Sequence, residues 1–395
     1  MNFEMNEMFE VLNTCSRTQA RLGELSTLHG MVSTPIFLPV GSQGTVKTLT
    51  PEELRDIEVT MILGNTYHLY LRPGIDTIEQ LGGLHRFMAW QSPILTDSGG
   101  YQVFSLSPLC RINEQGVIFR SHIDGSEHSF SPESVIEFQE RLGADVIMVL
   151  DECASVNDNK TKVREAMLRT HRWAERCLKR HSSSRQLLFA IVQGGIFPEM
   201  RQQSAKALTA MDFPGYAIGG LSLGEPKEIT WNMVGTVLDF LPTNKPRYLM
   251  GVGSPEDIIE GVSRGIDIFD CALPTRVARN GALFTNEGRK NIDRASFKSK
   301  EGPFDESCDC YTCRTFSAAY LHHLFKCSEL LAYRLATIHN LRFITRLMCD
   351  IRTAIQRGIF ADFKDDFLAR YKTTNESVRI VQKHKWLNAQ QEKSA

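Results

Sequence analysis

The chain has 395 residues, room for one large domain or two ordinary ones, and its 42% apolar content is enough to bury a full core. No apolar run reaches the length of a membrane span, and the acidic N-terminus, Met1 to Glu10, lacks the basic-then-apolar layout of an export signal, so a soluble cytoplasmic protein is expected. A net charge of −1 predicts no nucleic-acid partner by itself, and ten cysteines without an export signal read as thiols or metal ligands, not as a disulfide framework.

Residues 9–34 read as an N-terminal hairpin. Eight short apolar, β-branched runs follow, at 36–40, 59–63, 93–96, 145–150, 187–192, 215–218, 247–250 and 266–269. Most lack a polar face, as expected of parallel strands covered by helices. Helical patterns lie between several of them: one begins at Ser131 with an N-cap signal, and another fills 161–180. Strand and helix alternating eight times predicts an α/β protein, a (β/α)8 TIM barrel. Besides the N-terminal hairpin, three parts exceed a minimal barrel: a hairpin-bearing insert at 102–130, a segment at 297–350 with a cysteine cluster and a long amphipathic helix, and a polar tail. The expected division is a catalytic barrel from 1–296 and 351–372, a zinc-binding insertion at 297–350 and a tail at 373–395.

Most of the runs end in a polar or glycine cluster: Gly64-Asn65, Asp97 to Gly100, Asp151-Glu152, Gln193 to Gly195, Gly219-Gly220, Gly251 to Gly253 and Asp270-Cys271. Barrel enzymes build their sites from the C-terminal ends of the strands. Asp97, Asp151 and Asp270 could therefore face one cavity, and two carboxylates flanking a glycosidic bond are the standard means of breaking it. Each alone could equally cap a helix. The residues by themselves give a barrel hydrolase or transferase.

Two further constellations stand out. Between Arg276 and Lys300 seven basic residues face only Glu287 and Asp293, a local face able to bind phosphate in a near-neutral protein. Cys308, Cys310 and Cys313 place three thiols within six residues, a set suited to zinc. The fourth ligand is open among His322, His323, Cys327 and His339. Three thiolates and an imidazole leave no open coordination position, so the metal is read as structural.

Several segments occur together and in order: Thr96 to Ser105 (TDSGGYQVFS), Val192 to Gly195 (VQGG), Gly219 to Glu225 (GGLSLGE), Tyr248 to Gly253 (YLMGVG), Phe269 to Arg276 (FDCALPTR) and the cysteine cluster. With them the chain resembles the bacterial tRNA-guanine transglycosylase family from about residue 10 to 372. A zinc-dependent barrel hydrolase would want strand-end histidines, which are absent. A non-catalytic tRNA-binding subunit would be expected to lack Asp97 and Asp270.

The resemblance implies a pentosyltransferase of queuosine biosynthesis, exchanging guanine at the wobble position of tRNA for 7-aminomethyl-7-deazaguanine. Asp270 would attack ribose C1′ and Asp97 would act as general acid/base. Asp97, Ser98, Gly99, Gly100, Tyr101, Asp151, Cys153, Gln193, Gly220, Leu221, Glu225 and Met250 would bind the base. Within that set Asp151, Gln193 and the Gly220 backbone read its edge, Tyr101 and Met250 sandwich the ring, and the Leu221 carbonyl, oriented by Glu225, accepts from the aminomethyl group. Leu223, being large, would favour this base over bulkier queuine. Gly251, Val252, Gly253, Ser254, Pro255, Glu256 and Asp257, with Thr275, Arg276, Val277, Ala278 and Arg279, would meet tRNA. Cys308, Cys310, Cys313 and His339 would hold one structural Zn2+ per subunit. The partners implied are tRNA and a second copy of the chain, with Phe316, Tyr320 and His323 at the homodimer interface and no membrane.

Overall fold

The computed structural model describes residues 8–106, 110–183, 185–378 and 380–381; most of the expected polar tail lies outside the described residues. Eight parallel strands close into a barrel. The first is split at Pro39 into Ile36–Leu38, which pairs with the last strand, Ile268–Asp270, and Val40–Gly41, which pairs with the second, Ile62–Asn65. Proline has no N–H for the ladder, but the Pro39 carbonyl still accepts from Leu63 N at 3.0 Å. Ile94–Asp97, Val146–Met148, Leu187–Val192, Gly215–Ile218 and Arg247–Leu249 complete the barrel, each beside its neighbour in sequence. The strands are buried on both faces, which is why they read as continuous apolar runs. The second begins three residues later than its run. Val59 and Met61 are buried before the ladder starts, and hydropathy registers burial, not pairing.

The N-terminal element is a three-stranded antiparallel sheet, Phe9–Thr14, Arg21–Thr27 and Gly30–Thr34, one strand more than a hairpin. The insert after the third barrel strand carries the helix Gly100–Leu106 and a second three-stranded sheet, Arg111–Ile112, Val117–Arg120 and Glu127–Phe130. Aromatic contacts of Phe119 and Phe130 with Tyr67 and Tyr70 seat that sheet on the barrel rim.

The helix Pro132–Leu142 shows how the covering layer positions the strand ends. Ser131 caps it, its hydroxyl accepting from Ser134 N, and Gly143 ends it with φ +76°. Its inward face, Val135, Ile136, Gln139 and Leu142, follows the helical period. Gln139 is fully buried and fully used: Oε1 accepts from Thr96 Oγ1 at 3.1 Å and Met148 N at 2.9 Å, and Nε2 donates to Met148 O at 2.9 Å and Val135 O at 3.2 Å. One amide thus locks the third and fourth strands together one residue before Asp97 and three before Asp151. The helix Lys160–Arg180, capped by Asn159, fills the 161–180 expectation and buries Val163, Met167, Thr170, Trp173 and Cys177.

After the last strand come the helix Leu273–Arg279, the hairpin Ala282–Thr285 and Gly288–Asn291, and then the cysteine segment. The helix Leu330–Gln356 runs unbroken across residue 350 and packs on Leu273–Arg279, on the N-terminal sheet and on the first barrel strand. No helix among the described residues is long and apolar enough to cross a membrane.

A buried ion pair ties the N-terminal sheet to the barrel floor. Arg21 donates Nε to Asp267 Oδ1 at 2.8 Å and Nη2 to Oδ2 at 2.5 Å, and also reaches the carbonyls of Thr243 and Lys245. Asp267 also accepts from Arg247 N at 2.7 Å. Removing one partner of such a pair strands the other charge, at a cost of about 3–5 kcal/mol. Arg21→Ala is therefore expected to lower denaturant-measured stability by that amount, whereas a loss under 1 kcal/mol would mean that the sheet is not held by this contact.

Candidate active site and metal cluster

The side chains at the C-terminal strand ends form one connected set. Asp97 closes the third strand and is 9% exposed. Its carboxylate accepts from Asn65 Nδ2 at 2.6 Å, Thr66 N at 3.2 Å, Gly99 N at 3.2 Å and Gln102 Nε2 at 3.2 Å. Burial pushes its carboxyl up to about 7, with the charge of Asp270 adding to the rise and the donors from Thr66, Gly99 and Asn65 opposing it. Near neutral pH it is therefore poised to give or take a proton.

Asp270 closes the eighth strand and keeps a partly exposed edge. Its Oδ1 accepts from Tyr248 Oη at 2.6 Å and Gly251 N at 2.8 Å. Burial raises its pKa, and these two donors pull it back. Burial also holds the Tyr248 phenol well above its ordinary value, so Tyr248 stays the donor in this pair. The two strand-end carboxylates are thus set apart: one oxygen of Asp270 is tied down by fixed donors, whereas Asp97 is enclosed and proton-holding.

Around the rim, Asp151 Oδ2 accepts from Gln193 Nε2 at 2.6 Å, and its Oδ1 takes Ser98 Oγ at 3.4 Å. Burial lifts its carboxyl to about 6. Gly100 must lack a side chain, because a methyl group there would lie 2.7 Å from the Asp151 carbonyl. Gly220, at φ +66°, likewise abuts the Gln193 amide, and a methyl on Gly219 would lie 3.6 Å from Met250 Sδ. Tyr101, in the helix that follows the third strand, is half-buried. Cys153 lies in the same pocket, but burial pushes its thiol up to about 12, so it is no thiolate nucleophile. Glu225 accepts from Ser222 N, from Leu223 N at 2.9 Å and from Thr230 Oγ1 at 2.6 Å. The Leu221 carbonyl, on the far side of the Leu221–Ser222 peptide, is therefore turned away from Glu225.

Half of the twelve residues expected at a nucleic-acid face are interior. Val252, Gly253 and Pro255 are buried, Ser254 hydrogen-bonds Asp257, and Lys227 pairs with Glu256 and Asp257 at 3.1 and 2.7 Å. Thr275, Val277 and Ala278 are buried as well. What this face offers a ligand is the exposed backbone of Gly251 and the two half-buried guanidiniums of Arg276 and Arg279. Arg279 Nη1 is buried without a hydrogen-bond partner among the described residues.

Sequence reasoning missed three contributors. Tyr248 was visible only as part of a motif, Asn65 only as a polar strand end, and Arg201 not at all. Arg201 is fully buried in the helix Pro198–Thr209, and no spacing rule distinguishes it from a surface arginine.

The family model described as queuine tRNA-ribosyltransferase matches residues 15–373. The chain belongs to the queuine tRNA-ribosyltransferase family. It is 61% identical to the queuine tRNA-ribosyltransferase of Dehalococcoides mccartyi (strain ATCC BAA-2266 / KCTC 15142 / 195), covering 98% of each chain. It is 56% identical to that of Thermoanaerobacter sp. (strain X514), over 92% of this chain and 97% of the relative. The match to that of Herpetosiphon aurantiacus is 54%, over 94% and 95%.

Outside the rim, Cys308, Cys310, Cys313 and His339 bring four ligand atoms within 4.8 Å of one another, a group able to hold a metal ion. His339 Nδ1 lies 3.3 Å from Cys313 Sγ and 3.7 Å from Cys310 Sγ. Its Nε2 is 2.8 Å from the Phe284 carbonyl, so the proton sits on Nε2 and the Nδ1 lone pair faces the thiols. The other three candidates for fourth ligand are elsewhere: His322 bonds the Ile292 carbonyl at 2.7 Å, and His323 and Cys327 are exposed. A second group, His29, His85 and Asp145, lies at the opposite end of the barrel. Its imidazoles stack 3.6 Å apart at 19°, so their lone pairs run parallel and do not converge. Both rings lie within hydrogen-bonding reach of Asp145, which makes them an anchor for the N-terminal sheet, not a metal site.

Asp97 gives a stability prediction with a definite sign. A carboxyl raised from 3.8 to about 7 weakens the fold fully above pH 7 and not at all below pH 4. Three units at about 1.36 kcal/mol each make roughly 4 kcal/mol. Denaturation of Asp97→Asn against the parent is expected to shift in favour of the variant by up to that amount between pH 4 and pH 8. A pH-independent difference would mean that Asp97 is ordinarily ionised.

Proposed function

We propose that this protein is a tRNA-guanine transglycosylase that replaces guanine at the anticodon wobble position with 7-aminomethyl-7-deazaguanine. The observation that carries the reading is the pair of strand-end carboxylates in unlike environments. The Asp270 oxygen that Tyr248 and Gly251 leave unbound attacks ribose C1′ as the C1′–N9 bond breaks, and the departing guanine takes a proton from Asp97. The ribose is then held as an aspartyl ester. In the second half the incoming base gives its ring N–H proton to Asp97 and attacks C1′, and the bond to Asp270 breaks. Two displacements retain the anomeric configuration. Asp151, Gln193 and Gly220 read the base edge, Ser98, Gly99, Gly100 and Cys153 line the pocket, and Tyr101 and Met250 cover the ring faces. The aminomethyl group meets the Leu221 carbonyl. Leu223 is half-buried beside that peptide and leaves little room for a bulkier substituent.

Arg276 and Arg279 would take tRNA phosphates, and their half-buried positions on the helix Leu273–Arg279 support that reading. The cluster of Cys308, Cys310, Cys313 and His339 would hold one Zn2+ per subunit with no open position, a structural role. The stacked Phe316 and Tyr320, with Tyr311 against them and half-exposed, suit an aromatic homodimer interface. The enzyme would work in the cytoplasm.

Two measurements test these readings. Labelled guanine should enter tRNA with the parent enzyme, and a denaturing gel of enzyme with tRNA should show a slow covalent band that Asp270→Asn lacks. A band that persists in Asp270→Asn would mean that another residue attacks the ribose. Cys310→Ser is expected to lose bound zinc and to melt at least about 5 °C lower, because a structural metal contributes to folding directly. An unchanged melting temperature with no metal would remove zinc from the account.

A further inference from the structure

Arg201 carries no part of the chemistry above, yet it is placed as few arginines are. Its side chain is fully buried, and its hydrogen bonds among the described residues all go to main-chain carbonyls. Nε donates to Gly195 O at 2.8 Å, Nη1 to Val192 O at 2.9 Å and Gly219 O at 2.8 Å, and Nη2 to Gly220 O at 3.3 Å. Burial lowers its pKa to about 10, which leaves it charged at neutral pH. A buried guanidinium whose hydrogen bonds all end on neutral carbonyls is expensive, even with the charge of Glu225 partly offsetting its burial, so its position calls for a reason.

A trans peptide is planar, with C=O and N–H pointing in opposite directions. When Arg201 takes the carbonyls of Gly219 and Gly220, the N–H groups of Gly220 and Leu221 must point away from it. The Gln193 amide lies against the α-carbons of these two glycines, and Met250 against that of Gly219. Among the described residues no protein acceptor takes either N–H. Glu225 acts on the next two peptides in the opposite sense, taking Ser222 N and Leu223 N and turning the carbonyls of Leu221 and Ser222 away from itself. A buried cation and a buried anion thus set adjacent stretches of one loop to opposite polarity, donors first and acceptors next.

We propose that Arg201 is a positioning residue that fixes the hydrogen-bond polarity of the Gly219–Leu221 backbone, so that this backbone selects a base carrying a carbonyl oxygen at the edge it meets. This rests on the transglycosylase reading of the same pocket. Neutralising Arg201 frees the Gly219–Gly220 peptide to rotate, which would present a carbonyl where a donor is needed. Selectivity for the 6-oxo oxygen should then fall more than catalysis as a whole.

The test compares labelled-guanine exchange into tRNA with its inhibition by 6-thioguanine. That base keeps N1–H and the 2-amino group but offers a weakly accepting sulfur at position 6. In the parent, the inhibition constant of 6-thioguanine should exceed the KM of guanine by about tenfold or more, the value of one good hydrogen bond. In Arg201→Gln the ratio should collapse to within about threefold, with guanine KM rising more than kcat falls and the covalent tRNA band retained. A variant in which both constants rise together at an unchanged ratio would make Arg201 merely structural and overturn the proposal. If Arg201→Gln is not recovered folded, Arg201→Lys decides. An ammonium lacks the planar fork and should lower the ratio, and an unaltered ratio in that variant overturns the proposal as well. Absence of guanine exchange in the parent would instead refute the transglycosylase reading, a result that no Arg201 variant can mimic.

Discussion

A carboxylate at the end of a parallel strand, inside a closed barrel, is cut off from most of the water that would otherwise solvate it. Each such group must then draw its donors from neighbouring strands or give up its charge. Asp97 takes side-chain and backbone donors from the end of the second strand, Asp270 takes a phenol from the seventh, and Asp151 takes an amide from the fifth. Because the donors come from different strands, the carboxylates fix the spacing of the rim as much as the rim fixes them. The chemistry of the pocket and the closure of the barrel are in this sense one constraint.

The same economy governs the backbone. Peptide groups that read a ligand cannot also be satisfied by a ladder, so something else must orient them. Arg201 and Glu225 lie behind the loop that follows the sixth strand, one holding carbonyls and the other N–H groups. Glycine is required where that loop passes closest to Gln193, since a side chain on Gly220 would press into the amide. The reading face of the loop is therefore determined from its hidden side.

The barrel was legible because strands buried on both faces leave unbroken apolar runs, and the eight runs fall on the eight strands. The carboxylates were legible because acidic residues seldom follow such runs by chance. The metal cluster was legible in its three thiols, but the fourth ligand lies 26 residues beyond Cys313 on another helix, so spacing alone does not separate His339 from His322; the family resemblance picks His339, and the fold brings its Nδ1 to the thiols. Arg201 and Tyr248 were not legible as site residues. Both sit in regular elements, and their importance lies in which backbone or carboxylate they meet, a property of tertiary packing with no trace in local spacing. The third strand of the N-terminal sheet was missed for a different reason: Gly30–Thr34 is largely exposed, so it shows little of the apolar alternation that marks a strand.

The helix Leu330–Gln356 presents two consecutive side chains to two different tasks. His339 reaches the thiols with one nitrogen and the Phe284 carbonyl with the other. Asn340, fully buried, accepts from Phe284 N at 3.0 Å and donates to the carbonyls of Pro274 and Ala282, each at 3.0 Å. The main chain of one residue, Phe284, is thus gripped at both its N–H and its C=O by neighbours on a single helix turn, and Pro274 belongs to the helix that carries Arg276 and Arg279. A one-residue slip of the long helix would turn both side chains by about 100° and undo both grips at once. The register of that helix is in effect a gauge between the metal cluster and the arginine-bearing rim, so insertions or deletions between residues 315 and 340 should be tolerated only in the turns before Leu330, where length can change without rotating the gauge.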